Sequence, residues 1–140
     1  VRHVRGHSTA TKQVVLLKYV RSLIPQKTPV FLVGDSEFGS IAVLQQLNQW
    51  RWFFVLRQKG NTGLWLDERT GWQRLDGLVQ QAGRSAWCPN GYLTQSDIFP
   101  VSVLIYWQMG EKQPWCLATN LPDASLTLRY YRRRMWIEMV

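Results

Sequence analysis

Cysteine is scarce in this chain. Cys88 and Cys116 stand alone, with no second Cys and no His near either. A structural zinc site needs four ligands at paired spacings, so the pattern argues against zinc. Two cysteines make no disulfide framework, and a reducing, cytoplasmic compartment is the simplest inference. Long apolar runs are missing as well: none approaches the roughly 20 residues of a membrane span. No basic-then-apolar leader opens the chain, and there is no internal repeat or low-complexity tract. Charged residues are only 19 % of the whole, which excludes a disordered charged tail. Acidic residues are scarcest, 9 against 17 Lys and Arg, for a formal net charge of +8.

Apolar residues are plentiful, 46 % of 140, enough for a core in one domain of ordinary size. A basic excess on such a chain favours polyanions, nucleic acid first and an anionic membrane surface second. Charge that only keeps the domain soluble is the plainer alternative. The chain starts at Val1 rather than Met and stops at Val140 inside an unfinished pattern. It is therefore expected to be a piece of a longer protein.

Residues 1–7 alternate basic side chains and His without apolar periodicity and read as a loop. Residues 9–24 read as a helix: Leu16, Val20 and Leu23 recur at helical spacing, with Leu17 and Ile24 beside them. Ser8 or Thr9 caps its start and Pro25 ends it. Residues 29–33 form a short apolar run without polar alternation, the pattern of a strand buried on both faces. A second helix is expected over 40–49 and a second buried strand over 52–56, a βαβ-type layout. Past Arg57 turn signals crowd in: Lys59-Gly60-Asn61, Thr70-Gly71, Pro89-Asn90-Gly91 and Met109-Gly110. β-prone segments at 64–66, 101–107 and 115–118 lie between them, which predicts an antiparallel β insertion. From Asp123, a plausible N-cap, the pattern is helical again.

Two places carry chemistry. Asp35 follows the first strand, in Gly34-Asp35-Ser36-Glu37-Phe38-Gly39-Ser40. Ligands of α/β sheets bind off the carboxyl ends of strands, where a carboxylate is both held and accessible, as a metal ligand requires. A turn or capping Asp is the alternative. The second place is the last helix, where Tyr131, Arg134 and Glu138 fall at i, i+3 and i+7 and share one stripe. A carboxylate, a guanidinium and a phenol on one face suit a metal and a phosphate together. The alternative is an exposed Arg134–Glu138 ion pair worth about 0.3–0.5 kcal/mol. Arg57, Lys59, Arg132 and Arg133 are candidate phosphate contacts or a solvated basic surface.

Taken together, these residues resemble the DDE transposases of bacterial insertion sequences, in the subgroup marked by a Tyr-Arg-Glu-Lys signature. Tyr131, Arg134 and Glu138 match its first three positions at the right spacing, and its Lys falls past Val140. Val33-Gly34-Asp35-Ser36-Glu37-Phe38-Gly39-Ser40 is similar to the second-Asp motif. The strand at 52–56 with Arg57-Gln58-Lys59-Gly60-Asn61 resembles the family's next strand. Trp115-Cys116-Leu117-Ala118-Thr119-Asn120-Leu121 resembles the strand before the last helix. The likeness covers nearly the whole chain.

The resemblance implies an α/β fold, a partial ribonuclease-H-like core, with 8–58 and 122–140 as core segments and 59–121 as the β insertion. It implies three carboxylates holding two Mg²⁺ or Mn²⁺ ions, Asp35 being the second acid and Glu138 the third. It also implies double-stranded DNA as partner, a homodimer or larger synaptic complex, and Tyr131 and Arg134 on phosphates near the cleaved end. Relatives that form a hairpin stack a flipped base on an aromatic of the insertion; Trp72 and Trp87 are candidates, or else they fill its core. The first Asp has no counterpart here, so the chain alone is expected to be inactive, and unstable or aggregation-prone. A non-catalytic basic DNA-binding remnant and a β-rich structural protein are the competing readings.

Overall fold

The computed structural model describes residues 10–36, 40–94 and 98–139, apart from the side chains of Thr94 and of residues 134–139. Helix α1 (Ala10–Ser22) precedes strand β1 (Phe31–Gly34), and α2 (Ile41–Gln49) leads into β2 (Phe53–Arg57). There follow β3 (Gly63–Trp65), β4 (Trp72–Arg74), β5 (Ser85–Thr94), β6 (Phe99–Tyr106), β7 (Trp115–Thr119) and α3 (Ala124–Met139). The seven strands form one sheet in the order β1-β2-β7-β6-β5-β3-β4. β1 and β2 are parallel, in register from Phe31 opposite Phe53 to Gly34 opposite Leu56. Every other neighbouring pair is antiparallel. The βαβ unit expected at 30–56 is therefore present, and strands from the later segment extend its sheet directly.

Side-chain alternation sorts the core onto two faces. Phe54 and Leu56 of β2, Val103 and Ile105 of β6, and Cys116 and Ala118 of β7 join the cluster that includes Leu17 of α1 and Leu44 and Leu47 of α2. The intervening Val55, Leu104 and Leu117 point the other way and meet Leu121 and Tyr131 of the α3 side. The domain is thus a sheet between two helical layers. Ser40 caps α2, its Oγ accepting from Val43 N at 3.3 Å, and Asp123 caps α3, its Oδ1 accepting from Leu126 N at 2.8 Å.

Three expectations are corrected. In α1 the inward line is Gln13 and Leu17, while Leu16, Val20 and Leu23 are 52, 37 and 66 % exposed. Gln13 and Leu17 are four residues apart and share a stripe, and the spacing of Leu16, Val20 and Leu23 does not mark the buried side. Ser8 and Thr9, the expected caps, lie outside the described residues. β1 is not buried on both faces: Phe31 is exposed and Leu32 and Val33 are half-buried, because β1 is the first strand of the sheet. Pro89-Asn90-Gly91 is not a turn between elements; it lies inside β5. Cys88 pairs with Val103 and Gly91 with Val101, so two residues, Pro89 and Asn90, face Ser102 alone. That is a β-bulge, with Asn90 at φ 58° and its N–H donating to Ser102 Oγ at 3.2 Å. Gly91 is needed beside it, since a Cβ there would meet Leu64 Cδ1 at 2.9 Å and Trp65 O at 3.0 Å. Turn-forming residue types were used to bend a strand.

Past the end of β7, side chains replace the ladder. Thr119 Oγ1 donates to Phe54 O at 2.6 Å, and Asn120 Oδ1 accepts from Phe54 N at 2.9 Å. Asn120 Nδ2 donates to Trp52 O at 2.9 Å and to Asn48 Oδ1 at 3.2 Å. Asn120→Ala strands the Phe54 N–H of β2 and the Trp52 carbonyl just before it, and is expected to cost roughly 1–2 kcal/mol. Urea unfolding checks it: the midpoint should fall with the slope unchanged.

Candidate active site

Parallel pairing puts the carboxyl ends of β1 and β2 on one side of the sheet. β7 runs antiparallel to β2, so the segment entering it arrives at that same side. A cleft of about 720 Å³ opens there, lined by Asp35 beyond β1, Arg57 and Lys59 at and beyond β2, Asp76, Trp107 beyond β6, and Lys112 before β7. Asp35 is half-buried at the rim. Of the sequence candidates, Asp35, Arg57 and Lys59 meet in this cleft.

The β4 side of the cleft is built on Gly60. Asp76, in the 3-10 turn Leu75–Gly77, donates its N–H to Gly60 O at 2.9 Å, and Leu75 N donates to Thr62 O at 2.9 Å. A Cβ on Gly60 would meet Asp76 Cβ and Oδ2 at 2.9 Å, so only glycine permits this approach. Arg74 grips the Asp76 carboxylate with Nε at 3.0 Å and Nη2 at 2.8 Å. Those hydrogen bonds hold the Asp76 carboxyl below the usual carboxylate range and raise Arg74. An exposed pair of this kind adds little stability, but it fixes where the guanidinium points. With Asp76 matched by Arg74, Asp35 faces Arg57, Lys59 and Lys112, a surplus of positive charge suited to phosphate.

Behind the cleft Cys116 is buried, its thiol pushed up to about 11, first by desolvation and then by the Asp76 charge, with Arg57 opposing. The thiol is neutral in both folded and unfolded chains below the ordinary value of 9.0. Between there and about 11 the unfolded chain gives up the proton and the folded chain keeps it, so stability falls as pH rises through that window. Urea midpoints at pH 7 and pH 10.5 should therefore drop further for the wild type than for Cys116→Ala. Equal drops would refute the assignment.

Helix α3 starts at the far end of the sheet, because β7 runs away from the cleft. By Tyr131 and Arg132 it has come back to Trp115 and Tyr106, which flank the β6–β7 connection on the cleft side. Tyr131 is 2 % exposed and packs edge-on against Trp115 at 5.0 Å, so its ring anchors the helix. Tyr130 stacks on Phe31 at 4.5 Å. Arg132 donates to Tyr106 Oη at 2.7 Å, and Arg133 lies 5.2 Å from the Tyr130 ring. Both arginines are exposed on aromatic supports. The side chains of Arg134 and Glu138 lie outside the described residues, as do Glu37, Phe38 and Gly39 of the Asp35 motif.

Sequence reasoning missed Arg74, Asp76, Trp107 and Lys112. Arg74 ends β4 and Asp76 lies in the 3-10 turn after it, opposite charges two residues apart being the usable signal; Lys112 follows the Met109-Gly110 turn. Trp72, 46 % exposed against Trp65, and Trp87, half-buried on the α3 side, do not line the cleft. Trp107 does, its indole N–H donating to Glu111 O at 2.8 Å. Among the described residues no three His, Cys, Asp or Glu side chains converge as metal ligands. Asp35 offers the hard oxygen donors that Mg²⁺ or Mn²⁺ takes, at an open strand end.

A carboxylate just past a strand end thus shares one cleft with Arg57, Lys59 and Lys112. The model of the transposase DDE domain family matches residues 3–140, and the chain belongs to that family. Membership carries DNA transposition by phosphoryl transfer as the family's function, DNA as its partner and divalent metal as its general cofactor. The mixed α/β sheet with its three α-helices is compatible with such a domain. No curated protein matches the chain. Among the described residues no helix is long and apolar enough to cross a membrane.

Proposed function

We propose that Asp35 is the second and Glu138 the third acid of a transposase site that cuts and joins DNA at insertion-sequence ends. The observation that carries this reading is the cleft: Asp35 sits at the carboxyl end of a core strand, with Arg57, Lys59 and Lys112 around it. The return of α3 toward the cleft side supports the part given to Glu138. Asp35 and Glu138 would hold divalent metal there, which would supply Lewis-acid stabilisation of charge on the reacting phosphodiester. The cations bind and orient the phosphodiester; Arg132, Arg133 and Arg134 extend that surface along α3. Tyr131, buried against Trp115, holds α3 in place beneath that surface. Trp107, locked by Glu111, offers a face to an unstacked base, a better candidate than Trp72 or Trp87.

In this reading residues 8–58 and 122–140 are parts of a ribonuclease-H-like core and 59–121 is its β insertion. The spacing of Tyr131, Arg134 and Glu138 supports the Tyr-Arg-Glu-Lys subgroup. The protein works as a dimer or larger assembly on the bacterial nucleoid. Asp35 and Glu138 are one carboxylate short of the family's three, so these 140 residues alone leave DNA uncut. The experiment is metal-dependent cleavage and joining by a polypeptide that includes this chain. Loss of cleavage in Asp35→Ala and Glu138→Ala, with DNA binding retained, supports the reading. Full cleavage by either variant ends it and leaves a basic DNA-binding domain.

A further inference from the structure

A second cleft, of about 800 Å³, lies at the opposite end of β1 and β2 and has drawn no role so far. Lys18 and Arg21 of α1, Lys27 of the following loop and Arg51 after α2 line it, with Trp50 between them and no acidic residue on its walls. The local sequence is equally one-sided: no Asp or Glu occurs before Asp35. Two helix C-termini, of α1 and α2, reach this cleft. Each carries roughly half a negative charge, so together they match about one of the four cations and leave a surplus of about three.

The cations are also held. Arg21 Cζ lies 4.9 Å from the Trp50 ring centre, and Trp50 leans on the buried Trp52 at 5.0 Å. Lys27 and Arg51 adopt positive φ, 67° and 63°, a region that L side chains other than Asn and Asp seldom enter. Arg51 occupies the position after α2 that glycine fills at least cost: Trp52 N donates back to Leu47 O at 3.0 Å across it. At both strained positions the residue present is a cation facing the same cleft.

We propose that this cleft is a second binding site for the phosphodiester backbone of duplex DNA, separate from the Asp35 cleft. The choice of DNA among polyanions rests on the family reading. From Val30 on this cleft to Asp35 on the other is five residues of extended chain, about 17 Å. At 3.4 Å per base pair along a strand, one duplex lying along β1 presents phosphates about five base pairs apart to both.

Glycine suits the strained positions, so Lys27→Gly with Arg51→Gly removes two charges without straining the fold; a melting temperature no lower than wild type checks this. Binding of a 20-base-pair duplex is read by fluorescence anisotropy over a salt series. Counter-ion release makes each phosphate contact worth about 8-fold at 0.1 M salt relative to 1 M, so the double variant should bind about 60-fold more weakly, with a salt slope smaller by about 1.8. Lys18→Gln, at an exposed helical site, should lose about 8-fold. Wild-type affinity and slope in both the double variant and Lys18→Gln overturn the proposal while leaving the Asp35 reading intact. Conversely, full cleavage by an Asp35 variant sinks that reading and not this site. Loss of binding to phosphatidylserine vesicles with duplex binding unchanged would reassign the cleft to a membrane surface and also overturn it.

Discussion

Asp35→Asn should abolish metal-dependent DNA cleavage, by on the order of 10³-fold or more, in a polypeptide that includes this chain. The substitution keeps size and hydrogen-bonding capacity and removes one charge. A divalent-metal site contributes several kcal/mol to the transition state, and about 1.4 kcal/mol is a factor of ten in rate. Binding should move the other way. Without metal, the Asp35 carboxylate repels phosphate in a cleft otherwise lined by Arg57, Lys59 and Lys112, so the Asn variant binds duplex at least as tightly as wild type. Adding Mn²⁺ should then strengthen wild-type binding and leave the variant unchanged. A variant that cuts normally, or that loses DNA binding along with cleavage, contradicts a metal-ligand role.

Phe54→Ala should cost about 3–5 kcal/mol, the range for removing a buried aromatic ring. Phe54 is 1 % exposed in the cluster beneath α1 and α2. A typical domain has only about 5–15 kcal/mol of total stability, so the variant is expected to be largely unfolded near 37 °C. β2 pairs with β1 on one side and β7 on the other. Loss of packing under β2 therefore loosens the strand that positions Asp35 as well as the core. Urea unfolding of Phe54→Ala and Phe54→Met measures this; the Met variant, closer in volume, should lose much less. A cost below about 1 kcal/mol for Phe54→Ala would mean that the ring is not packed as described.

The parallel pair and its helix were legible because a strand, a helix and a strand each wrote a distinct period into residues 30–57. Asp35 could be picked out for the same reason: a strand's end is visible where the apolar run stops. α1 misled because Leu16, Val20 and Leu23 have helical spacing whichever way the helix is turned, and periodicity cannot say what lies opposite. β5 was hidden by Pro89-Asn90-Gly91, residues that break strands in most settings and here bend one. The cleft's far wall was hidden for a different reason. Arg74, Asp76, Trp107 and Lys112 come together through strand order β2-β7-β6-β5-β3-β4, and pairing order between distant strands leaves no local trace. The Gly60 contact with Asp76 is of that kind as well: the sequence reads as a turn glycine, and its close approach exists only after folding.

Asp35 and the residues that surround it belong to parts of the chain with different freedom to change. Asp35 comes directly after β1, as Trp107 comes directly after β6, whereas Lys59 and Lys112 sit further out on connecting segments. Over many generations those connectors can be lengthened, shortened or recharged without repacking the sheet. Under the proposed reading, the surface offered to DNA can thereby be reshaped while Asp35 stays where it was.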